Sequence, residues 1–325
     1  EEAENTMLEI AKTFVSSMST IPLLHSAHTL GYETYQFYIN EGISDITRFN
    51  RIYSIGIGHE HHTIYAAGSS KDASHGVKIQ RDKSFTNQVI EKMGLPIAKW
   101  APVESKDDLA QAAAKVGYPL VLKPVGLTAG HGVHIGMNNL EELEKAWDRT
   151  QEYYEKDMKY PESKSAWQKR IIVQQVLKGQ DYRILVVNGE FAVGTHRLQA
   201  RVTGDGQKTV EQLIADENKN PARDLRLPTH TLKKIVIDKD LKNVLAKQNL
   251  DISYVPEKDE IVRVRDVASM SQGGITADVT DKVHPQIQRI CESIARTIHA
   301  HVLGVDVLCQ DISKPLTLDN GGIIV

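Results

Sequence analysis

The short apolar run Leu120-Val121-Leu122 ends in Lys123-Pro124, and a small-residue segment, Gly126-Leu127-Thr128-Ala129-Gly130-His131-Gly132, follows almost at once. A second apolar stretch begins around Val133 to Ile135. Two short apolar runs split by glycines make a strand-loop-strand hairpin. A lysine leaving a buried strand beside a proline can keep its stem packed while its head reaches toward a phosphate. Small residues in the loop let backbone N–H groups approach phosphate oxygens and let the loop close over a nucleotide. The loop lies between strands and lacks a Gly-Lys-Ser/Thr ending, so it is neither a Walker A loop nor a dinucleotide fingerprint. Taken alone, these residues also fit a flexible hairpin with a snorkelling surface lysine.

Around this hairpin the chain alternates short strands with helices. Phe85, Val89 and Ile90 predict a helix over 84–92, closed by Gly94 and Pro96, and Ser105 is the expected N-cap of a helix over 106–116. A helix from Asn139 to about Tyr154 precedes a polar stretch, Lys156 to Lys169, expected to be a mobile insertion. Strands are expected over 171–176, 182–188, 191–196, 261–265, 305–308 and 323–325, with helices over 210–217 and 285–303. Before about Lys78 only a helix near Thr6 to Met18 is expected, since the Tyr-rich and His-rich segments lack clean periodicity.

Several further groups have chemistry to offer. Gln174, Gln175, Val176 and Leu177 end a strand just before Gly179 and Asp181, where backbone groups suit an adenine edge and the carboxylate suits ribose hydroxyls. Arg183, Arg197, Arg201, Arg263 and Arg265 lie on several strands and are natural forks for carboxylate or phosphate oxygens. Ser271, Gln272, Gly273 and Gly274 form a second small polar loop suited to gripping an amino-acid substrate. Asp306, on a strand, is a hard-cation ligand of the kind Mg²⁺ favours beside phosphates. His59, Glu60, His61 and His62 lack zincin spacing because position 63 is threonine, and a solvated cluster is the expected reading.

Length and composition narrow the function classes. A chain of 325 residues suggests two or three lobes. A formal charge of -3 lacks the positive field of a general nucleic-acid binder, so small molecules are the expected partners. Two cysteines, Cys291 and Cys309, do not form a CxxC pair, and a reducing cytoplasmic setting is expected. No apolar run is long enough for a membrane span, so no membrane partner is expected, and a homo-oligomer is left open.

In order along the chain, these segments resemble the ATP-grasp superfamily of carboxylate-amine ligases, in the pattern of the cyanophycin-synthetase type. The matching stretches are Asp82-Lys83 with Thr86, Gly94-Leu95-Pro96, Gly117-Tyr118-Pro119 and Leu122-Lys123-Pro124 with the glycine loop. They continue through Gly179-Gln180-Asp181-Tyr182-Arg183, Arg197, Gly204-Asp205-Gly206, and Asn218 with Asn220-Pro221 and Arg223. Last come Ser271-Gln272-Gly273-Gly274, Asp278-Val279-Thr280-Asp281 with His284-Pro285, and Gly304-Val305-Asp306. The chain departs from the pattern at Gln174, where the family has an acid, and at Ser269-Met270-Ser271, where it has Asn-Leu-Ser.

The resemblance implies an α+β, ATP-grasp fold whose two lobes clamp ATP, with an N-terminal region over 1–78 and lobes over 79–175 and 176–325. It implies ATP and Mg²⁺ as cofactors and amino acids or short peptides as substrates. Lys83, Lys123 and the loop residues Gly126, Thr128, Ala129, Gly130, His131 and Gly132 would then meet phosphates. Gln174 to Leu177 would hold adenine, Asp181 the ribose and Asp306 Mg²⁺. Arg197 and Arg265 are the expected acyl-phosphate residues, and Arg183 with Ser271 to Gly274 the substrate residues. The family pattern continues with Glu-x-Asn after a strand like 322–325, and a chain ending before it is expected to bind ATP weakly. The alternatives are a glutathione-synthetase-like ligase and a non-catalytic nucleotide-binding module.

Overall fold

A computed structural model describes residues 20–37, 52–65, 68–125, 132–156, 170–224 and 231–324. The expected helix near Thr6 to Met18, the loop residues Gly126 to His131 and the insertion over 157–169 lie outside the described residues. The fold is α+β. Helix α1 (Thr20–Thr29) precedes an antiparallel sheet of β1 (Thr34–Gln36), β2 (Ile52–Ile55), β3 (His62–Tyr65) and β4 (Gly68–Ser69). Helices α2 (Ser74–Arg81) and α3 (Lys83–Lys92) follow, and α2 straddles the 78/79 boundary expected from the sequence.

The second sheet, in the order β5-β8-β6-β7, contains β5 (Trp100–Val103), β6 (Leu120–Pro124), β7 (His134–Met137) and β8 (Ile171–Gln175). Its helices are α4 (Leu109–Val116) and α5 (Leu140–Lys156). Strand residues alternate between faces. Ala101, Val103, Leu120, Leu122, Ile171 and Val173 join Leu109, Val116, Leu143 and Trp147 in one apolar core. Val121, Lys123, Ile172 and Gln174 therefore stand on the opposite face. Ser105 stands at the expected N-cap, its N–H donating to Asp108 Oδ2 at 2.8 Å, although the first turn after it is 3₁₀ rather than α.

The third sheet runs β13-β10-β9-β14-β15 and is antiparallel throughout. Its strands are β9 (Gln180–Val187), β10 (Glu190–Leu198), β13 (Ile275–Asp278), β14 (Val302–Cys309) and β15 (Gly321–Ile324). Helix α8 (Pro285–Thr297) presents Ile287, Ile290, Cys291 and Ile294 to Tyr182, Ile184, Val186, Val305 and Val307. The other face carries Asp181, Arg183, Arg197 and Asp306. A smaller unit packs β11 (Arg201–Thr203) and β12 (Ile261–Arg263) on α6 (Val210–Glu217) and α7 (Lys239–Ala246) around Val202, Ile214, Leu241 and Val262.

Helix α8 stops well short of the expected Leu303. His299 takes a left-handed φ of 51°, and the Ala300 N–H reaches back to the Ala295 carbonyl at 2.9 Å, a helix-ending turn made without glycine. Residues just before α2 and in its first turn hold that turn. Ala73 N–H donates to His299 O at 3.1 Å, His301 N–H donates to Asp72 Oδ1 at 2.7 Å, and a Cβ on Gly76 would come within 2.1 Å of Ile298 O. The long-range docking ends the helix where its own pattern would have continued. No helix among the described residues is long and apolar enough to cross a membrane.

Candidate active site

Two strand parities create the site. Asp181 and Arg183 are two apart on β9, Arg197 lies opposite Asp181 on β10, and Asp306 lies opposite Arg183 on β14, so all four share the face without helix. Arg183 donates from Nε to Asp306 Oδ1 at 2.7 Å and from Nη2 to Oδ2 at 2.9 Å. Arg197 bridges both acids, with Nη2 2.7 Å from Asp181 Oδ1 and 3.0 Å from Asp306 Oδ2. Burial works against ionising Asp306, but the guanidiniums of Arg183 and Arg197 hold its carboxyl below the usual range. At Asp181 burial wins over Arg197 and pushes the carboxyl up to about 6.

The helix-free face of the second sheet supplies Lys123, and α3 supplies Lys83. Lys123 Nζ donates to Gln174 Oε1 at 2.8 Å. Register places Val121 opposite Gln174, so Lys123 and Gln174 are diagonal neighbours on one face. Burial, with Lys83 as the next cause, brings the Lys123 ammonium down to about 8, while Asp306 and Asp181 pull the other way. Lys83 starts α3 because Asp82 caps it, its Oδ1 accepting from Ser84 N at 2.8 Å and Phe85 N at 3.1 Å. Its Nζ donates to Val125 O at 3.3 Å, at the foot of the glycine loop, and burial lowers its pKa. Lys123 of the second sheet, with Lys83 of α3 nearby, thus comes within electrostatic reach of the acid-arginine cluster on the third sheet.

Residues 81–201 match the family described as phosphoribosylglycinamide synthetase, ATP-grasp (A) domain. This is an ATP-grasp domain. It is homologous to cyanophycin synthetase of Geminocystis herdmanii (strain PCC 6308), 35% identical over 271 residues that cover 83% of this chain and 30% of that protein. The bifunctional glutathione biosynthesis protein GshAB of Clostridium perfringens is 27% identical over 80% of this chain and 32% of its own. The crystal structure of a bifunctional glutathione synthetase from Pasteurella multocida aligns with a TM-score of 0.60 and 26% identity, over 94% of this chain and 39% of that one. The chain spans about a third of the length of the curated relatives it matches.

Within the ATP-grasp domain, Gly132 ends the glycine loop with φ 68° and its carbonyl accepts from Thr150 Oγ1 at 3.2 Å. Gly126, Thr128, Ala129, Gly130 and His131 lie outside the described residues. Gln175 and Val176 commit their backbone N–H groups to Lys99 O at 2.8 Å and Pro119 O at 3.1 Å, and Leu177 packs beside Gly322.

The second loop is a 3₁₀ turn over Met270–Gln272 that closes on Gly273 with φ 91°. A Cβ on Gly274 would meet Leu198 O at 2.8 Å, so the loop rests on the end of β10, next to Arg197. Its anchor is Arg223, 1% exposed, which donates to Gly273 O at 3.0 Å, to the carbonyl of Lys233 and to Glu217. The sequence reading places Arg223 in the resemblance without giving it a role. An arginine close behind Asn-Pro was the available signal.

Arg265 stands apart from the expectation of an acyl-phosphate contact. It is 5% exposed and forms a two-point ion pair with Asp238, both bonds at 2.8 Å, plus a bond to Val236 O at 2.8 Å. Asp238 also caps α7 by accepting from Leu241 N, so Arg265 braces the small unit rather than joining the Asp306 cluster. His59 Nε2 lies 3.2 Å from Glu60 Oε1 on the exposed surface, and no group of three or more His, Cys, Asp or Glu among the described residues is arranged to hold a metal.

Proposed function

We propose that this chain is the ATP-dependent ligase portion of a cytoplasmic carboxylate-amine ligase acting on amino acids or short peptides. The observation that carries the reading is the approach of Lys123, with Lys83 close by, to the Asp181, Arg183, Arg197 and Asp306 cluster of the third sheet. In the first step a substrate carboxylate oxygen attacks the γ-phosphorus of ATP, the bond to the β-γ bridging oxygen breaks, and an acyl phosphate and ADP result. In the second, an amine attacks the acyl carbon, inorganic phosphate leaves, and the amine loses a proton as the amide forms.

This chain's contribution is positional and electrostatic. Lys83 and Lys123 bind phosphate oxygens, Arg197 and Arg183 orient the reacting carboxylate, and the loop from Ser271 to Gly274 holds the substrate backbone. Asp306 is a hard oxygen donor on the cleft face, which fits Mg²⁺, an ion usually held by one or two carboxylates with nucleotide phosphates completing the set. Asp181 stands beside it for the ribose. Mg²⁺, when bound, neutralises charge on the phosphates.

A glutathione-synthetase-like reaction is the second reading, supported by the 94% coverage of this chain by the bifunctional glutathione synthetase structure. ADP release measured across a panel of amino acids and short peptides, with mass detection of the product, separates the two. Nucleotide binding without any amide product would count against both.

A further inference from the structure

Gln174 is 1% exposed, and its amide is only half used. Oε1 accepts from Lys123 Nζ at 2.8 Å, whereas the buried Nε2 has no hydrogen-bond partner. The orientation of the amide is fixed by chemistry, because an ammonium has no acceptor and only the carbonyl oxygen can face it. A buried donor without an acceptor is costly and calls for a ligand that supplies one.

The location says which ligand. Gln174 shares its sheet face with Lys123, away from α4 and α5, and Lys123 lies within electrostatic reach of Asp181, Arg197 and Asp306. The amide therefore lies buried on the same sheet face as Lys123, beside the strand end proposed to hold the base. With Oε1 taken by Lys123, the amide and ammonium heads supply donors and no acceptor at this point of the sheet face. Adenine offers an acceptor at N7 but a donor at its 6-amino group, while guanine and hypoxanthine offer acceptors at both N7 and O6. The backbone N–H groups of Gln175 and Val176 are already committed to Lys99 and Pro119, so more of the discrimination falls on these side chains.

We propose that Gln174 and Lys123 read the N7/O6 edge of a 6-oxopurine, so that this chain binds GTP or ITP at least as tightly as ATP. The inference rests on the nucleotide reading of the cleft given above. A site whose buried polar groups find partners in one ligand and not in another discriminates strongly between them.

The test is calorimetric titration of the whole chain, in Mg²⁺ buffer, with ATP, GTP, ITP and 7-deaza-GTP. Dissociation constants for GTP and ITP equal to or below that for ATP, and weaker binding of 7-deaza-GTP, are expected. Gln174→Glu, acceptor-only when ionised, should move the ATP:GTP affinity ratio toward ATP by about ten-fold or more, as one exchanged base contact implies. Gln174→Met, with both polar atoms gone, should show less discrimination than either, and thermal melts verify that both variants fold. ATP binding tighter than both GTP and ITP would overturn the proposal, as would an unchanged ratio in Gln174→Glu. If no purine nucleotide binds, the nucleotide reading of the cleft itself fails and takes this inference with it.

Discussion

Arg183 and Asp306 stand directly opposite each other on neighbouring antiparallel strands and close a two-point ion pair of 2.7 and 2.9 Å. The carboxylate proposed for Mg²⁺ is thus already neutralised by arginine, with Arg197 as a second partner at 3.0 Å. A cation arriving with phosphates must compete with these guanidiniums, and an arginine displaced in that competition is placed to take a substrate carboxylate.

Asp306→Ala leaves two guanidiniums on this face without one of their acids. Removing one partner of a fully buried pair costs about 3–5 kcal/mol, but the Arg183 side chain is 47% exposed, and solvent screening brings the expected loss to roughly 1–2 kcal/mol. Urea denaturation reads that loss. In calorimetry the variant should also lose most of the Mg²⁺ dependence of ATP binding, and a dependence equal to wild type would remove Asp306 from the metal site.

Lys123→Ala should weaken ATP binding and leave the protein folded. The pH dependence follows from the direction of the shift. The Lys123 ammonium is brought from 10.5 down to about 8 in the folded chain, so between these values the unfolded chain binds more protons and stability rises with pH. Below about 8 the cost of holding the buried charge is fully present. Wild type should therefore gain stability across that window by chemical denaturation, and Lys123→Ala should lose this component. Phosphate binding should raise the lysine's pKa again, so titrations near pH 8 in buffers of different ionisation enthalpy should record proton uptake. Equal heats in all buffers would argue against a phosphate contact.

The site was legible in the sequence where it depends on strand parity. Asp181 and Arg183, two apart in an alternating strand, have to share a face, and the Leu120 to Lys123 run had to deliver its lysine at a strand end. Partner choice across long separations was not legible. The alternation Arg263-Val264-Arg265 says nothing of Asp238, which takes Arg265 into the small unit. The end of α8 was missed for the same reason, since the backbone from Ile298 to His301 is claimed by residues around Asp72 to Gly76, more than two hundred positions earlier. The ATP-grasp resemblance supplied the convergence of the sheets that local pattern could not.

Arg223 anchors the Ser271 to Gly274 loop from a buried position, and Arg223→Ala should affect both stability and substrate binding. The change strips donors from the carbonyls of Lys233 and Gly273 and leaves Glu217 without its partner. Each buried acceptor left unmade costs roughly 1–3 kcal/mol, so a loss of about 2–4 kcal/mol is expected in denaturation after partial relaxation. ATP affinity should change little, because the loop does not belong to the Lys83 and Lys123 cluster. A variant as stable as wild type would mean that the loop holds its shape without this anchor.

Gly179 sets where β9 begins, and through it where Asp181 lies. Its φ of 140° belongs to a region that side chains rarely adopt, and a Cβ there would come within 2.3 Å of the Cys309 carbonyl carbon on β14 and 2.5 Å of its oxygen. That neighbour is backbone at the end of β14, held between Gln180 of β9 and Gly321 of β15, so it cannot swing aside as a flexible side chain would. Gly179→Ala must push the start of β9 away from β14, and Asp181, two residues on, faces Leu308 in the same register. The expected result is a destabilised chain in which the Arg197 bridge between Asp181 and Asp306 is weakened, with ATP affinity reduced several-fold even under conditions where the protein remains folded. Thermal melts and nucleotide titration of the same preparation separate the two effects. Wild-type affinity alongside lowered stability would show that the ribose contact does not depend on where β9 starts, and would move the search for that contact to other residues of the cleft.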